Sequence, residues 1–130
     1  ISGKFDLPDE SVDLVLDMMA SHYLKEEERE VYLQEIVRML KPRGWLFLKS
    51  FLKEEDRHAS RLIKQNSAGE EDAYIHPVHG NYEHVWAEEK LREFYGKYFN
   101  IEKVERSGKH LKDGKAFKRR QIVVYLSKKN

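Results

Sequence analysis

Two stretches of the chain gather residues able to do chemistry. The first is Asp17-Met18-Met19-Ala20-Ser21-His22-Tyr23, which follows the apolar run Val12, Leu14, Val15, Leu16. A neutral imidazole such as His22 either takes a proton from a reacting group or packs to order its loop. Asp17 is placed either to cap the turn that follows or to face a ligand. Met18 and Met19 are soft, polarizable fillers of a core or of a pocket wall. The second stretch, Ala73–Val85, carries Tyr74, His76, Pro77, His79, Tyr82, Glu83 and His84. His-x-x-His with a further His raises the idea of a metal. The spacing is no recognised zinc pattern, and Pro77 breaks a helical i, i+3 face, so no metal site is assigned. With neither a helical nor a strand period, this stretch reads as a loop, and loops of such composition line pockets.

The elements that must hold these residues follow from periodicity. Val12–Met18 is nearly continuous in apolar residues, which predicts a strand buried on both faces. Lys25–Leu40 predicts a helix, with Leu33, Ile36, Val37 and Leu40 on one stripe and Glu26, Glu27 and Glu28 in the first turn. Pro42 and Gly44 stop it, and Trp45-Leu46-Phe47-Leu48 starts a second buried strand. Strand, helix and strand with short links form a parallel, right-handed unit. A weaker helical stripe spans Lys53–Asn66, and Ala87–Tyr98 places Leu91, Phe94, Tyr95 and Tyr98 on one face. Ile101–Ser107 and Gln121–Leu126 read as strands pairing antiparallel through a polar, basic loop over Gly108–Phe117. The expected fold class is therefore α/β, a mostly parallel sheet with an antiparallel edge strand.

Composition narrows the class further. The chain has 130 residues, 40% hydrophobic and 36% charged, with a net charge of +1. That is one domain's length. No apolar run approaches the ~20 residues that span a bilayer, so no membrane role is expected. The absence of cysteine excludes disulfides and fits a reducing, cytoplasmic compartment. Residues 101–130 hold ten Lys and Arg against three Asp and Glu. Lys109, Lys112, Lys115, Lys118, Arg119 and Arg120 thus suit either a solvated hairpin or contacts to nucleic-acid phosphates. With Phe117 as the single aromatic among them, these cations do not make an aromatic-interleaved basic face, which disfavours the nucleic-acid reading.

Three motifs then point to a family. Leu7-Pro8-Asp9-Glu10-Ser11-Val12-Asp13-Leu14-Val15-Leu16, Ser21-His22-Tyr23-Leu24 and Glu35-Ile36-Val37-Arg38-Met39-Leu40-Lys41-Pro42-Arg43-Gly44 resemble the second half of a class I S-adenosylmethionine-dependent methyltransferase. A helix with Glu88, Glu89 and Leu91, followed by two strands, resembles that family's closing elements. The resemblance implies the C-terminal half of a Rossmann-like doubly wound domain, with residues 1–130 as a single partial domain on the substrate side. It also implies S-adenosylmethionine as cofactor, with Asp17, Met18 and Met19 near it. In the same terms Ser21 and Tyr23 lie on the side of a small-molecule acceptor, and His22 matches the first of the family's frequent His-His pair, as a catalytic base or a residue that orders the loop. Within this picture the composition of the Ala73–Val85 loop suits closure over the acceptor, with Tyr82, His79 and His84 as the contacting or catalytic candidates. The family's Gly-rich first motif and its ribose-binding acid do not occur in the sequence. The chain opens on Ile1, and ~80–100 further residues are expected before it for the other half of the domain. Alone, the chain is expected to bind cofactor poorly and to catalyse nothing. The alternative readings are an RNA-binding or RNA-methylating module that uses the basic hairpin, and a non-catalytic α/β interaction module, for which an exposed sheet edge predicts self-association. Arg43 replaces one of the family's two turn glycines. Ala87 stands where Ser or Thr would cap a helix, an expected loss of about 1 kcal/mol.

Overall fold

A computed structural model describes residues 4–107, 111–112, 115–116 and 119–129. Strand β1 (Val12–Met18) leads through a single 3-10 turn (Ser21–Tyr23) into helix α1 (Glu26–Met39) and strand β2 (Leu40–Phe51). Helix α2 (Arg57–Gln65) precedes β3 (Ala73–Ile75) and β4 (Tyr82–His84). Helix α3 (Glu88–Tyr95) then leads to β5 (Phe99–Arg106), the short pair β6 (Leu111–Lys112) and β7 (Lys115–Ala116), and β8 (Gln121–Lys128).

The central sheet has the order β1-β2-β8-β5. β1 and β2 pair in parallel, with Leu16 opposite Phe47 and Asp17 opposite Leu48. β8 runs antiparallel to both β2 and β5. Thus β1, β2 and β5 point the same way, as the α/β expectation requires. The antiparallel strand lies between β2 and β5 instead of at the edge. The short connection 107–120 lets β8 turn back beside β5, and its apolar alternation lets it fill the inner place.

The LP-turn is fixed to α1 by Arg38. Its guanidinium donates to the Leu7 carbonyl at 2.7 Å, to Asp9 Oδ1 at 2.8 Å and to Glu35, so the entry to β1 is set by a side chain of the following helix. The helix runs straight into β2, and the expected stop at Pro42 and Gly44 appears as a bulge inside the strand, where the register shifts between Val12 and Leu14. Arg43 takes φ +66°, a left-handed conformation that glycine would hold with less strain. Gly44 is required for space: a Cβ there would meet the Lys41 carbonyl and Leu40 Cδ2 at 2.9 Å. Ala87 contributes no side-chain cap to α3, but Glu54 Oε1 accepts from Glu88 N at 2.8 Å and offsets the missing hydroxyl.

The two faces of the sheet differ. Leu46 and Leu48 of β2 and Ile122, Val124 and Leu126 of β8 are buried in one core with Leu33 and Ile36 of α1 and with Leu91 and Tyr95 of α3. The other face carries Leu14 at 45% exposure, Leu16 at 61%, Met18 at 45% and Trp45 at 38%. β1 is therefore not buried on both faces: it is an edge strand. Its sequence has the apolar content of an interior strand, but within the described residues it has a neighbour on one side only. The expected loop over Ala73–Val85 is a hairpin, with Ala73 opposite His84 and Tyr74 opposite Glu83.

Candidate functional site

The carboxyl ends of β1 and β2 and the hairpin β3–β4 meet around the turn Ser21–Tyr23. Asp17 closes β1 and is 4% exposed. Its Oδ1 accepts from Ala20 N at 3.3 Å and Ser21 N at 3.2 Å, and its Oδ2 accepts from the Tyr32 hydroxyl. The carboxylate thus fixes the 3-10 turn and ties it to α1, the capping alternative of the two roles open to it. Ser21 is buried beside the Tyr32 and Tyr95 phenols. Burial first, then neighbouring negative charge, holds the Tyr32 and Tyr95 hydroxyls protonated well above the ordinary phenol range.

His22 is 3% exposed. Its ring lies 4.0 Å from the Tyr23 ring and edge-on to Phe51 at 4.8 Å, and its Nδ1 has no hydrogen-bond partner. Burial lowers its pKa; the Glu83 and Asp17 charges oppose this, and the Arg119 charge adds to it. At neutral pH the ring is therefore an uncharged base. Tyr23 is exposed at the mouth, and Met18 projects onto the open sheet face. Met19 takes φ +60° where β1 ends, and its N–H still bonds the Lys49 carbonyl at 2.8 Å.

The hairpin is anchored to the end of β2 by Trp86, just after β4. Trp86 N donates to the Phe51 carbonyl at 2.9 Å, and Lys53 N donates to the Trp86 carbonyl at 2.8 Å. Strand alternation then divides β4. Tyr82 and His84 face Glu70, which also binds Arg29 of α1. Glu83 faces the other way and accepts from the Tyr74 hydroxyl at 2.6 Å. His84 packs edge-on to Trp86 at 4.6 Å. Its Nε2 is 3.8 Å from Glu70, which would favour a charged ring, yet Glu70 is already engaged by Arg29 and Tyr82. Burial, with the Arg29 and Lys90 charges, wins and pushes His84 down to about 3. His79 stacks on His76 at 3.8 Å at the exposed hairpin turn.

The three histidines expected to act together are thus in three places. Only His22 is in the turn below the hairpin. His84 and Tyr82 face Glu70, and His79 is at the outer tip beside His76. A strand pairing that puts alternate residues on opposite sides, invisible in a stretch read as loop, separates them. Sequence reasoning overlooked Asp56 and did not connect Arg119 with Phe51, Tyr74 and Glu83. Arg119 Nε donates to Asp56 Oδ2 at 3.2 Å, and its guanidinium lies 4.2 Å from the Phe51 ring centre. These partners are far apart in the chain and share no motif. Among the described residues, no His, Asp or Glu group of metal-binding size occurs.

The basic segment divides similarly. Arg120 donates to the Ser107 carbonyl at 2.7 Å and to Glu55 Oε2 at 2.8 Å, and Arg119 is held by Asp56, so both are engaged internally. Lys109 and Lys118, and the side chains of Lys112 and Lys115, lie outside the described residues.

Comparison with known proteins bears on the class. Residues 2–48 match the sequence model of the methyltransferase domain family. The fold is shared with an S-adenosylmethionine-dependent methyltransferase from Methanosarcina mazei: TM-score 0.82, 19% identity, 99% of this chain and 65% of that one. A Burkholderia thailandensis 1,6-didemethyltoxoflavin N1-methyltransferase, solved with its substrate and S-adenosylhomocysteine, aligns at TM-score 0.67 and 17% identity over 95% of this chain and 46% of its own. A Haloferax volcanii methyltransferase in complex with the activator Trm112 aligns at 0.65 and 15% over 99% and 59%. No curated protein sequence matches. The molecule shares the Rossmann-like α/β fold of these methyltransferases, and the segment Leu7–Gly44 that carries the resemblance lies within the matched residues 2–48. The chain spans 46–65% of the length of these three solved structures.

Proposed function

We propose that this chain is the acceptor-side portion of an S-adenosylmethionine-dependent methyltransferase acting on a small molecule. The observation that carries the reading is the buried turn at the carboxyl ends of the parallel strands β1 and β2, where this kind of sheet receives its ligands. Asp17, Ser21 and His22 line that turn, and the β3–β4 hairpin covers it. The toxoflavin enzyme among the structural relatives acts on a small heterocycle, which supports a small-molecule acceptor here. Asp17, Met18 and Met19 mark the rim nearest the cofactor, with Ser21 and Tyr23 on the acceptor side. The free edge of β1 and the open apolar face beside it are assigned to the cofactor-binding portion. That portion supplies the Gly-rich turn and the ribose-binding acid.

The chemistry is a direct displacement. Bound S-adenosylmethionine would supply a methyl group open to displacement by the acceptor's lone pair, with a neutral thioether as the leaving group. Alignment of the reacting atoms can supply ~7–11 kcal/mol of the barrier. Where the acceptor carries a proton, uncharged His22 receives it. Engagement of Arg119 and Arg120 within the fold weighs against a phosphate-binding role for that segment. Titration calorimetry of S-adenosylmethionine into the 130 residues and into the complete polypeptide tests the reading. Micromolar binding by the complete polypeptide alone is the expected result. Comparable binding by the 130 residues overturns the division of labour, and no binding by either overturns the function.

A further inference from the structure

A groove of about 810 Å³ opens between the first turns of α1, the loop before β3, the end of β4 and α3. Its size falls within the roughly 300–1,000 Å³ of small-molecule sites. None of Asp17, Ser21 and His22 lines it, so it is separate from the turn assigned to the acceptor. The floor is apolar: Trp86 is 6% exposed, and its ring centre lies 5.5 Å from that of half-buried Phe94. The rim is acidic, and the lining holds seven carboxylates against three cations. Two of these cations are already paired. Arg29 is bound to Glu70 and lies over the Trp86 ring at 5.8 Å, and Lys90 is bound to Glu71 at 2.6 Å. Glu26, Glu27 and Glu30 of α1 and Glu93 of α3 are exposed, and their side chains make no hydrogen bond or ion pair among the described residues.

Acids on a surface are ordinarily just solvated, and a second feature sets this groove apart. The His84 side chain is 6% exposed and lines the groove, and its Nδ1 is buried without a hydrogen-bond partner. Its Nε2 lies 3.8 Å from Glu70, which suits an N–H at that position and leaves Nδ1 as an acceptor. A buried acceptor with no donor is costly, and the chain itself supplies none. Burial keeps the ring uncharged at neutral pH, so it does not repel a cation.

We propose that this groove binds a small organic dication, two ammonium groups joined by an apolar spacer. One ammonium donates to His84 Nδ1 at the inner wall. The spacer covers Phe94, and the second ammonium is held by the carboxylates that α1 and α3 bring to the rim. The site is additional to methyl transfer and does not depend on that reading.

Titration calorimetry of cadaverine into the protein at low salt is the test, with pentylamine and pentanediol as singly charged and uncharged controls. Cadaverine is expected to bind at least about tenfold more tightly than pentylamine, and pentanediol not to bind. The Glu30→Gln/Glu93→Gln double variant is expected to lose about fivefold in affinity, while Glu105→Gln on β5, outside the groove, keeps it. In nitrogen NMR the His84 Nδ1 signal is expected to move as cadaverine is added. No binding of cadaverine, or an affinity no greater than that of pentylamine, overturns the proposal. So does a loss as large in Glu105→Gln as in the double variant, since the effect is then one of overall charge. Binding that leaves the His84 Nδ1 signal unmoved puts the diamine elsewhere and overturns the site.

Discussion

The two faces of the central sheet are built from the same strands and have different fates. On β2, Leu46 and Leu48 point into the core with α1 and α3 and are fully buried, while Trp45 and Phe47 point the other way. Trp45 packs edge-on to Phe47 at 6.0 Å, and Phe47 to Tyr125 at 5.1 Å, forming an aromatic row that continues the exposed side chains of β1. Both faces are apolar in sequence. The contrast shows that the described residues pack one face of the sheet and leave the other open. Exposed apolar area on this scale marks an interaction surface.

Measurements on each face test the contrast. The largest expected effect is Leu48→Ala, which leaves a cavity under α1 and should cost about 2–5 kcal/mol in urea denaturation. Acid comes next. His84 is held near 3 when folded and has an ordinary value of 6.5 when unfolded, so the unfolded chain binds more protons on acidification. The stability tied to its neutral form is complete above pH 6.5 and is lost as pH falls towards 3. By pH 4 the loss is on the order of 3 kcal/mol. A His84→Gln chain should show a flatter stability profile over that window, and an unchanged slope would place the acid sensitivity elsewhere. Tyr32→Phe removes the hydroxyl that donates to buried Asp17 and should cost about 1–3 kcal/mol, read as a lowered denaturation midpoint. The smallest effect belongs to the open face: Leu16→Ser should change stability by no more than about 0.5 kcal/mol. If instead Leu16→Ser costs as much as Leu48→Ala, the open face is covered in solution. Light scattering would then show a second copy on it, an association expected at a free apolar strand edge.

The local part of the design is legible in the order of the residues. Alternation and helical period place β1 and α1 to within a residue, because each depends on neighbours two to four positions away, whereas β2 begins at Leu40, five residues before the expected Trp45. The fate of β1 is not legible in that way. Its apolar run states what the strand requires for burial, and burial also depends on what lies beside it. The hairpin is hidden for a related reason: three-residue strands are too short to establish a period, and Pro77 and Gly80 read as loop. With the hairpin hidden, His22, His79 and His84 look like one constellation.

Periodicity and the short links between elements dictate the class of fold, the direction of β1 and β2 and the placing of Asp17 and His22 at their carboxyl ends. Long-range packing alone sets His22 and Arg119 against the same Phe51 ring, gives His84 to Glu70 and engages Arg120 internally. The physical reason is range. Hydrogen bonds and charge contacts such as Asp56 to Arg119 join residues more than sixty positions apart, and no local pattern encodes which of many available partners the folded chain brings within reach.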